Sequence, residues 1–260
     1  MLERLARLGY ASKALIYAIV GYLLLSVALN RGGRITDTSG ALRVVLRQPF
    51  GRFLLIVLAL GLCGYALWRI LDAIRDPDRH GTSFKGIVTR IGNAVRAVIY
   101  GGLGYEAFRL FQGLGGSNGR EAEMWTARFL QFPLGDWLVG LAGAIVATYG
   151  VSEVISALKG GYSDTLDLSP IAPQFRRTAE NISRIGIGSR GVIITILGVF
   201  LVRAALQRDP SEAHGTRESI LELANAVPGK WAFVFMGIGL LAYAFDQAIH
   251  ARCRRIRPVL

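Results

Sequence analysis

Three polar trios recur inside otherwise apolar stretches. Tyr65, Arg69 and Asp72 stand at i, i+4 and i+7, as do Tyr149, Glu153 and Ser156, and Tyr243, Gln247 and His250. On a helix that spacing puts each trio on one face. If the three faces converge, a ring of tyrosines lies above a layer of Arg69, Glu153 and Gln247. Such a layer can bind a polar solute or ion. It can equally be a structural hydrogen-bond layer closed by an Arg69–Glu153 bridge, or an anchor at the membrane–water boundary.

Glu106 is a second candidate, an acid near the middle of the apolar segment 97–113. Buried there, its carboxyl is a candidate proton acceptor, and the plainer reading is pairing with Arg109 on the same face or with Arg203. Asp76, Asp78 and His80 in RDPDRHG read as a Pro/Gly turn rather than a metal site. His214 sits in a polar connector without a ligand pattern. Only Cys63 and Cys253 occur, so neither a disulfide scaffold nor a zinc spacing exists. No Ser/His/Asp set or phosphate loop is present. Gly101, Gly102, Gly104, Gly140 and Gly143 read as helix-packing positions, since no strand precedes them. The expectation is a non-enzyme with no cofactor and no metal.

The elements that must carry these groups are membrane helices. Hydrophobic residues make up 52% of the 260-residue chain and charged residues 18%, and mean hydropathy is +0.40. Charge-free runs cover 14–30, 53–68, 137–152, 191–202 and 231–245, and 97–113 is broken by Glu106 and Arg109. Each run is shorter than the roughly 20 residues of a full span, but arginines at the ends can snorkel to the interface.

Internal repetition makes the weaker runs equivalent to the stronger ones. RLGYASKALIYAIVG from Arg7, RIGNAVRAVIYGGLG from Arg90 and RIGIGSRGVIITILG from Arg184 share five positions without gaps. They are Arg7/Arg90/Arg184, Gly9/Gly92/Gly186, Lys13/Arg96/Arg190, Ile16/Ile99/Ile193 and Gly21/Gly104/Gly198. A second block begins at Pro49, Pro133 and Pro228 and aligns Tyr65, Tyr149 and Tyr243, then Ala73, Ala157 and Ala251. The chain therefore divides into helix-pair repeats at 1–84, 85–178 and 179–260, forming one membrane domain. An even number of spans per repeat makes the copies parallel. The predicted fold is an all-α bundle of six transmembrane helices with pseudo-threefold symmetry.

Short amphipathic stretches, Ala41–Gln48, Glu121–Phe132 and Thr216–Val227, separate the paired helices and read as interfacial helices on the outer face. The connector 159–183, with Gly160, Gly161, Pro170 and Pro173, reads as irregular structure. The N-terminus imitates a secretory signal, with Ser26-Val27-Ala28 as a cleavage pattern. Recurrence of the same segment in the later copies argues against removal. The larger share of the 30 Lys+Arg falls on the side of the chain ends, which places both termini in the cytoplasm of a multi-pass protein of the cell (inner) membrane.

The triplicated unit resembles a family of bacterial integral membrane proteins, domain of unknown function 1206, defined by a two-helix transmembrane unit occurring three times. The R-[LI]-G-x3-[KR]-x2-I-x4-G block and QPFG…LALGLCGYALWRILDA at 48–73 carry the resemblance, which covers essentially the whole chain. The third copy lacks a residue between Pro228 and Gly229, and the second has Glu153 where the first has Arg69. The resemblance implies the architecture and brings no activity. Mitochondrial carriers also have three helix pairs, but their acidic proline signature follows the odd helices and is absent here.

The net charge of +12 is spread over loops and helix ends, which suits anionic phospholipids and not nucleic acid. Two functions fit. One is binding or conduction of a small solute or ion through a polar path between repeats. The other is a structural or accessory role, organising partners or lipids without transport.

Overall fold

The computed structural model describes residues 2–31, 35–75, 84–114, 121–159, 173–226 and 230–253. Among these the regular structure is entirely helical. In chain order the helices are α1 (Leu2–Ala28), α2 (Thr38–Leu46), α3 (Gly51–Arg75), α4 (Phe84–Phe111), α5 (Glu121–Leu130), α6 (Gly135–Lys159), α7 (Pro173–Gln207), α8 (Thr216–Ala226) and α9 (Trp231–Cys253), with a 3-10 turn at Pro210–Glu212.

Among the described residues five helices are long and apolar enough to cross a membrane: α1, α3, α6, α7 and α9. The sequence leads one to expect six. The sixth candidate, α4, is 28 residues long, but Arg90, Arg96, Glu106 and Arg109 leave it without a sufficiently apolar stretch. The connector 159–183 also differs from expectation. Residues 160–172 lie outside the described residues, but α7 is already helical from Pro173. Proline is well suited to a first helical position, where its missing N–H would have no partner anyway.

The long helices form a ring. The first helix of each repeat lies along the second helix of another: α4 along α3, α7 along α6, and α1 along α9. The repeated glycines permit this approach. A Cβ on Gly21 would meet the Gly237 carbonyl at 2.9 Å, one on Gly104 the Cys63 sulfur at 2.8 Å, and one on Gly198 the Ala147 Cα at 2.7 Å. The repeated arginines lock the same pairs at one end. Arg7 donates to the carbonyls of Ala251 (3.0 Å) and Arg252 (2.6 Å). Arg90 donates to Ala73 (2.7 Å) and Ile74 (3.2 Å), and Arg184 to Ala157 (2.7 Å) and Leu158 (2.6 Å). The last carbonyls of a helix have no intrahelical donor and carry partial negative charge, so a guanidinium there satisfies both needs. These bonds also place the start of α1 beside the end of α9.

Two further contacts, α1 with α3 and α7 with α9, complete most of the ring; α4 and α6 stand apart. The turn entering α3 explains another repeat feature. Gly51 N–H bonds to the Gln48 carbonyl at 2.9 Å across Pro49 and Phe50, and Gly135 N–H to Phe132 at 2.9 Å across Pro133 and Leu134. Phe50 and Leu134 have φ of 60° and 66°, so with proline before them these are type II turns. The third copy is one residue shorter at this point, and its Pro228 and Gly229 lie outside the described residues.

Of the stretches expected to lie at the interface, α2 departs most. Its start is capped by the Asp37 carboxylate, which accepts from Gly40 N–H at 2.7 Å. Ala41, Leu42 and Val45 are buried against α1, α3 and α4. It is a wedge in the bundle, because every third or fourth residue is apolar. In α5, Trp125 and Phe129 are exposed, as an interfacial helix requires.

Candidate functional site

The polar interior begins with the repeated cation of each first helix. Lys13, Arg96 and Arg190 each reach the tyrosine of their own repeat, respectively Tyr65, Tyr149 and Tyr243. Lys13 Nζ donates to Tyr65 Oη at 3.2 Å and sits 4.5 Å from the ring centroids of both Tyr65 and Tyr100. Arg96 Nε donates to Tyr149 Oη at 2.7 Å, and its Nη2 also contacts that oxygen. The Arg190 guanidinium lies 5.1 Å from the Tyr243 ring centroid. Cations over aromatic faces gain electrostatically from the ring quadrupole, the more so away from water.

Tyr17 ties the repeats together. Its hydroxyl lies 3.1 Å from that of Tyr100 on α4, and its ring stands edge-on to Tyr243 on α9 at 4.7 Å. The three repeat tyrosines therefore do not form a ring with one another. Tyr65 and Tyr243 are joined through Tyr100 and Tyr17, and Tyr149 and Tyr243 both meet Arg190.

Arg69 uses four of its five N–H donors inside its own network. It donates to Tyr65 Oη (2.9 Å), Asp72 Oδ2 (2.8 Å), Asn93 Oδ1 (3.0 Å) and Tyr10 Oη (2.9 Å). Asn93 returns a bond to Asp72 Oδ2 at 3.0 Å. Arg69, Asp72 and Asn93 are all buried. The expected Arg69–Glu153 bridge is not what forms; Arg69 finds its carboxylate three residues along the same helix.

Glu153 serves two arginines instead. Its Oε1 accepts from Arg96 Nη2 at 2.8 Å and from the Tyr149 hydroxyl at 2.5 Å, and its Oε2 from Arg190 Nη1 at 3.0 Å. Two guanidinium groups thus share one carboxylate. Arg190 Nε is buried without a hydrogen-bond partner. The side chains of Arg96 and Glu153 keep 22% and 13% exposure, against 7% for Arg190. The triad is therefore approached from the α4/α6 side.

Gln247 and His250 are buried on α9. Gln247 Nε2 donates to Asp246 Oδ2 at 2.8 Å, His250 Nδ1 lies 3.0 Å from the Asp246 carbonyl, and the imidazole stacks on Tyr10 at 5.2 Å. Ser156, the remaining member of the expected layer, is exposed. Its helix turns a different face inward, because α6 packs mainly on α7. Glu106 lies apart from the cluster. Ser39 of α2 donates to its Oε2 at 2.5 Å, in place of the expected Arg109 or Arg203, and Arg203 is exposed. Asp76, Asp78 and His80 lie outside the described residues. Among the described residues no group of three or more His, Cys, Asp or Glu is placed to hold a metal.

Sequence reasoning singled out the tyrosines and the residues below them but missed the cations that face them. Lys13, Arg96 and Arg190 stood among the repeat constants, and a charge recurring at one offset in three apolar helices was the available signal. Tyr10, Asn93, Tyr17 and Tyr100 carried no signal of that kind.

A family model described as Domain of Unknown Function (DUF1206) matches three times, at residues 8–76, 91–160 and 185–254. Each matched segment holds one repeat cation and its tyrosine. The chain belongs to the DUF1206 family. Its three repeats are thus family units, and with its apolar helices it is a multi-pass membrane protein. This DUF1206 chain is similar to "Uncharacterized protein YxxB" of Bacillus subtilis (strain 168), at 32% identity over 242 residues, covering 93% of this chain and 87% of that protein. No solved structure matches.

Proposed function

We propose that the chain is a non-enzymatic, six-span protein of the cell (inner) membrane, pseudo-threefold, with both termini in the cytoplasm. It binds a small solute or ion at the charged cluster between repeats. Four features support α4 as the sixth span. Arg96 is turned into the cluster, Arg90 caps α3, Glu106 accepts from Ser39, and α4 packs along α3. Charge engaged within a bundle need not meet lipid. The excess of Lys/Arg at the end where the chain starts and finishes supports the orientation, and the basic loops suit anionic phospholipids.

The observation that carries the binding reading is the sharing of Glu153 by Arg96 and Arg190, which leaves the triad one positive charge in excess. An uncompensated charge away from water is costly, and a bound anion relieves it. The test is thermal stability of the purified protein in neutral-lipid nanodiscs against a panel of halides, phosphate, short carboxylates and fatty-acid anions at fixed ionic strength. At least one anion raises the transition midpoint saturably, and Arg190→Gln abolishes that response. If no anion does so, or the variant responds equally, the binding reading fails. The accessory reading then stands. Its support is the tight packing of the first and third repeats, in which Tyr65 and Tyr243 are fully enclosed, and its test is recovery of the same crosslinked partner in repeated pull-downs.

A further inference from the structure

The three repeats are not equally closed. A Cβ on Gly9 would meet the Gly61 carbonyl at 2.7 Å, and one on Gly186 would meet the Tyr243 Cα at 2.5 Å. There the two helices of a repeat are in backbone contact. At the equivalent Gly92 the nearest atom is Tyr149 Cδ2 at 3.5 Å. The middle repeat is splayed by comparison, and a crevice of about 230 Å³ lies between α4 and α6. Ile91, Gly92 and Val95 form one wall, and Ala144, Ile145, Thr148 and Tyr149 are among those forming the other. Ile91, Ala144, Ile145 and Thr148 are themselves exposed on the outer surface of the bundle, where a transmembrane helix meets lipid. Tyr149 lies on the wall, and its hydroxyl is held by Arg96 and Glu153.

An apolar slot that opens toward lipid and reaches Tyr149, whose hydroxyl touches Arg96, Glu153 and, at 3.4 Å, Arg190, is complementary to a molecule with an acidic head and an apolar tail. We propose that this crevice binds a long-chain fatty-acid anion entering laterally from the bilayer, with its carboxylate on Arg96 and its chain between Ile91, Val95 and Ile145. The inference rests on the reading that the cluster binds an anion, and it names that anion's class and route. A carboxylate is the group to which both arginines already donate in Glu153, and a charge-assisted bond from guanidinium to carboxylate is among the strong ones. The slot is smaller than the roughly 300–1,000 Å³ of drug-sized sites, which suits one slender chain and excludes the two chains of a phospholipid. A fully water-soluble anion has no reason to use a mouth walled by isoleucine and alanine.

The test uses the full chain in phosphatidylcholine nanodiscs with radiolabelled palmitate. Saturable binding of one palmitate per protein is expected. Cetyl alcohol, which lacks the charge, competes at least about tenfold more weakly, the loss of one charge-assisted contact. Arg96→Gln weakens palmitate by at least about the same factor, and Ile145→Trp, which fills the slot, abolishes binding. A second measurement does not depend on a loss of function. Palmitate protects Ile145→Cys from maleimide alkylation, read on that peptide by mass spectrometry. Binding of cetyl alcohol equal to palmitate, full binding by Ile145→Trp, or no protection of Ile145→Cys would overturn the proposal. Equal protection by acetate would move the site to soluble anions, and equal protection by phosphatidylglycerol would move it to two-chain lipids; either overturns the fatty-acid assignment. If palmitate fails while another anion stabilises the protein, this inference falls and the binding reading survives. If no anion acts, both fall.

Discussion

Gly186→Ala costs about 3 kcal/mol, the upper part of the range for overpacking a filled site, whereas Gly92→Ala is neutral or stabilising. The two glycines occupy one repeat position. At Gly186 the new methyl would lie 2.5 Å from the Ala242 carbonyl carbon and from the Tyr243 Cα. Those are backbone atoms of α9, so the whole helix must move. At Gly92 the nearest atom is a ring carbon at 3.5 Å, an ordinary van der Waals contact. Alanine there gains up to about 1 kcal/mol of helix propensity over glycine. The midpoint of thermal loss of monodisperse protein in detergent reads the difference. It should move in opposite directions, or downward for Gly186→Ala and not at all for Gly92→Ala. Equal losses at both positions would mean that the middle repeat is as tightly closed as the others.

Glu153→Gln is the more damaging of the two changes that break the Arg96–Glu153 pair. It leaves two guanidinium groups facing each other with no carboxylate between them. Removing one partner of a buried pair costs about 3–5 kcal/mol, and the residual 13% exposure of Glu153 and 22% of Arg96 places this site at the lower end. Arg96→Gln removes the excess charge instead and leaves Arg190 paired with Glu153 one to one, so it costs less. The double variant, with both changes, is more stable than Glu153→Gln alone. The same thermal measurement on the three variants checks the order. A result with Arg96→Gln the worst would show that Glu153 is not the shared counter-ion. Groups this close are not additive, so the cycle itself reports the coupling.

Much of this fold was legible because it is written three times. Arg7, Arg90 and Arg184 were visible as constants, and their shared task, capping the last carbonyls of a neighbouring second helix, needs a partner that no local sequence window contains. The short helices were found from their 3.6-residue periodicity, but periodicity does not say whether a face meets lipid or protein, and α2 proved to meet protein. Pairing was the least legible feature. Arg69 and Glu153 occupy the same repeat position with opposite charge, which suggested a bridge between them. The structure satisfies Arg69 with Asp72 at i+3 on its own helix, and Glu153 with Arg96 of α4 and Arg190 of α7. Ser156 was placed in the layer by its i+7 spacing from Tyr149 and by repeat equivalence. Its helix packs chiefly on α7, so the third residue of the trio turns outward. The α4/α6 crevice had no sequence signal, since Gly9, Gly92 and Gly186 are the same residue in the same motif.

The central claim is that the three repeats meet in one shared polar interior. Tyr17 tests it most directly, since it touches both other repeats from the first, at Tyr100 and at Tyr243. With the photoreactive benzoylphenylalanine in place of Tyr17, irradiation in native membranes followed by peptide mass spectrometry should yield intramolecular crosslinks to α4 around Tyr100 and to α9 around Tyr243. Crosslinks confined to lipid, or to the first repeat alone, would contradict the account.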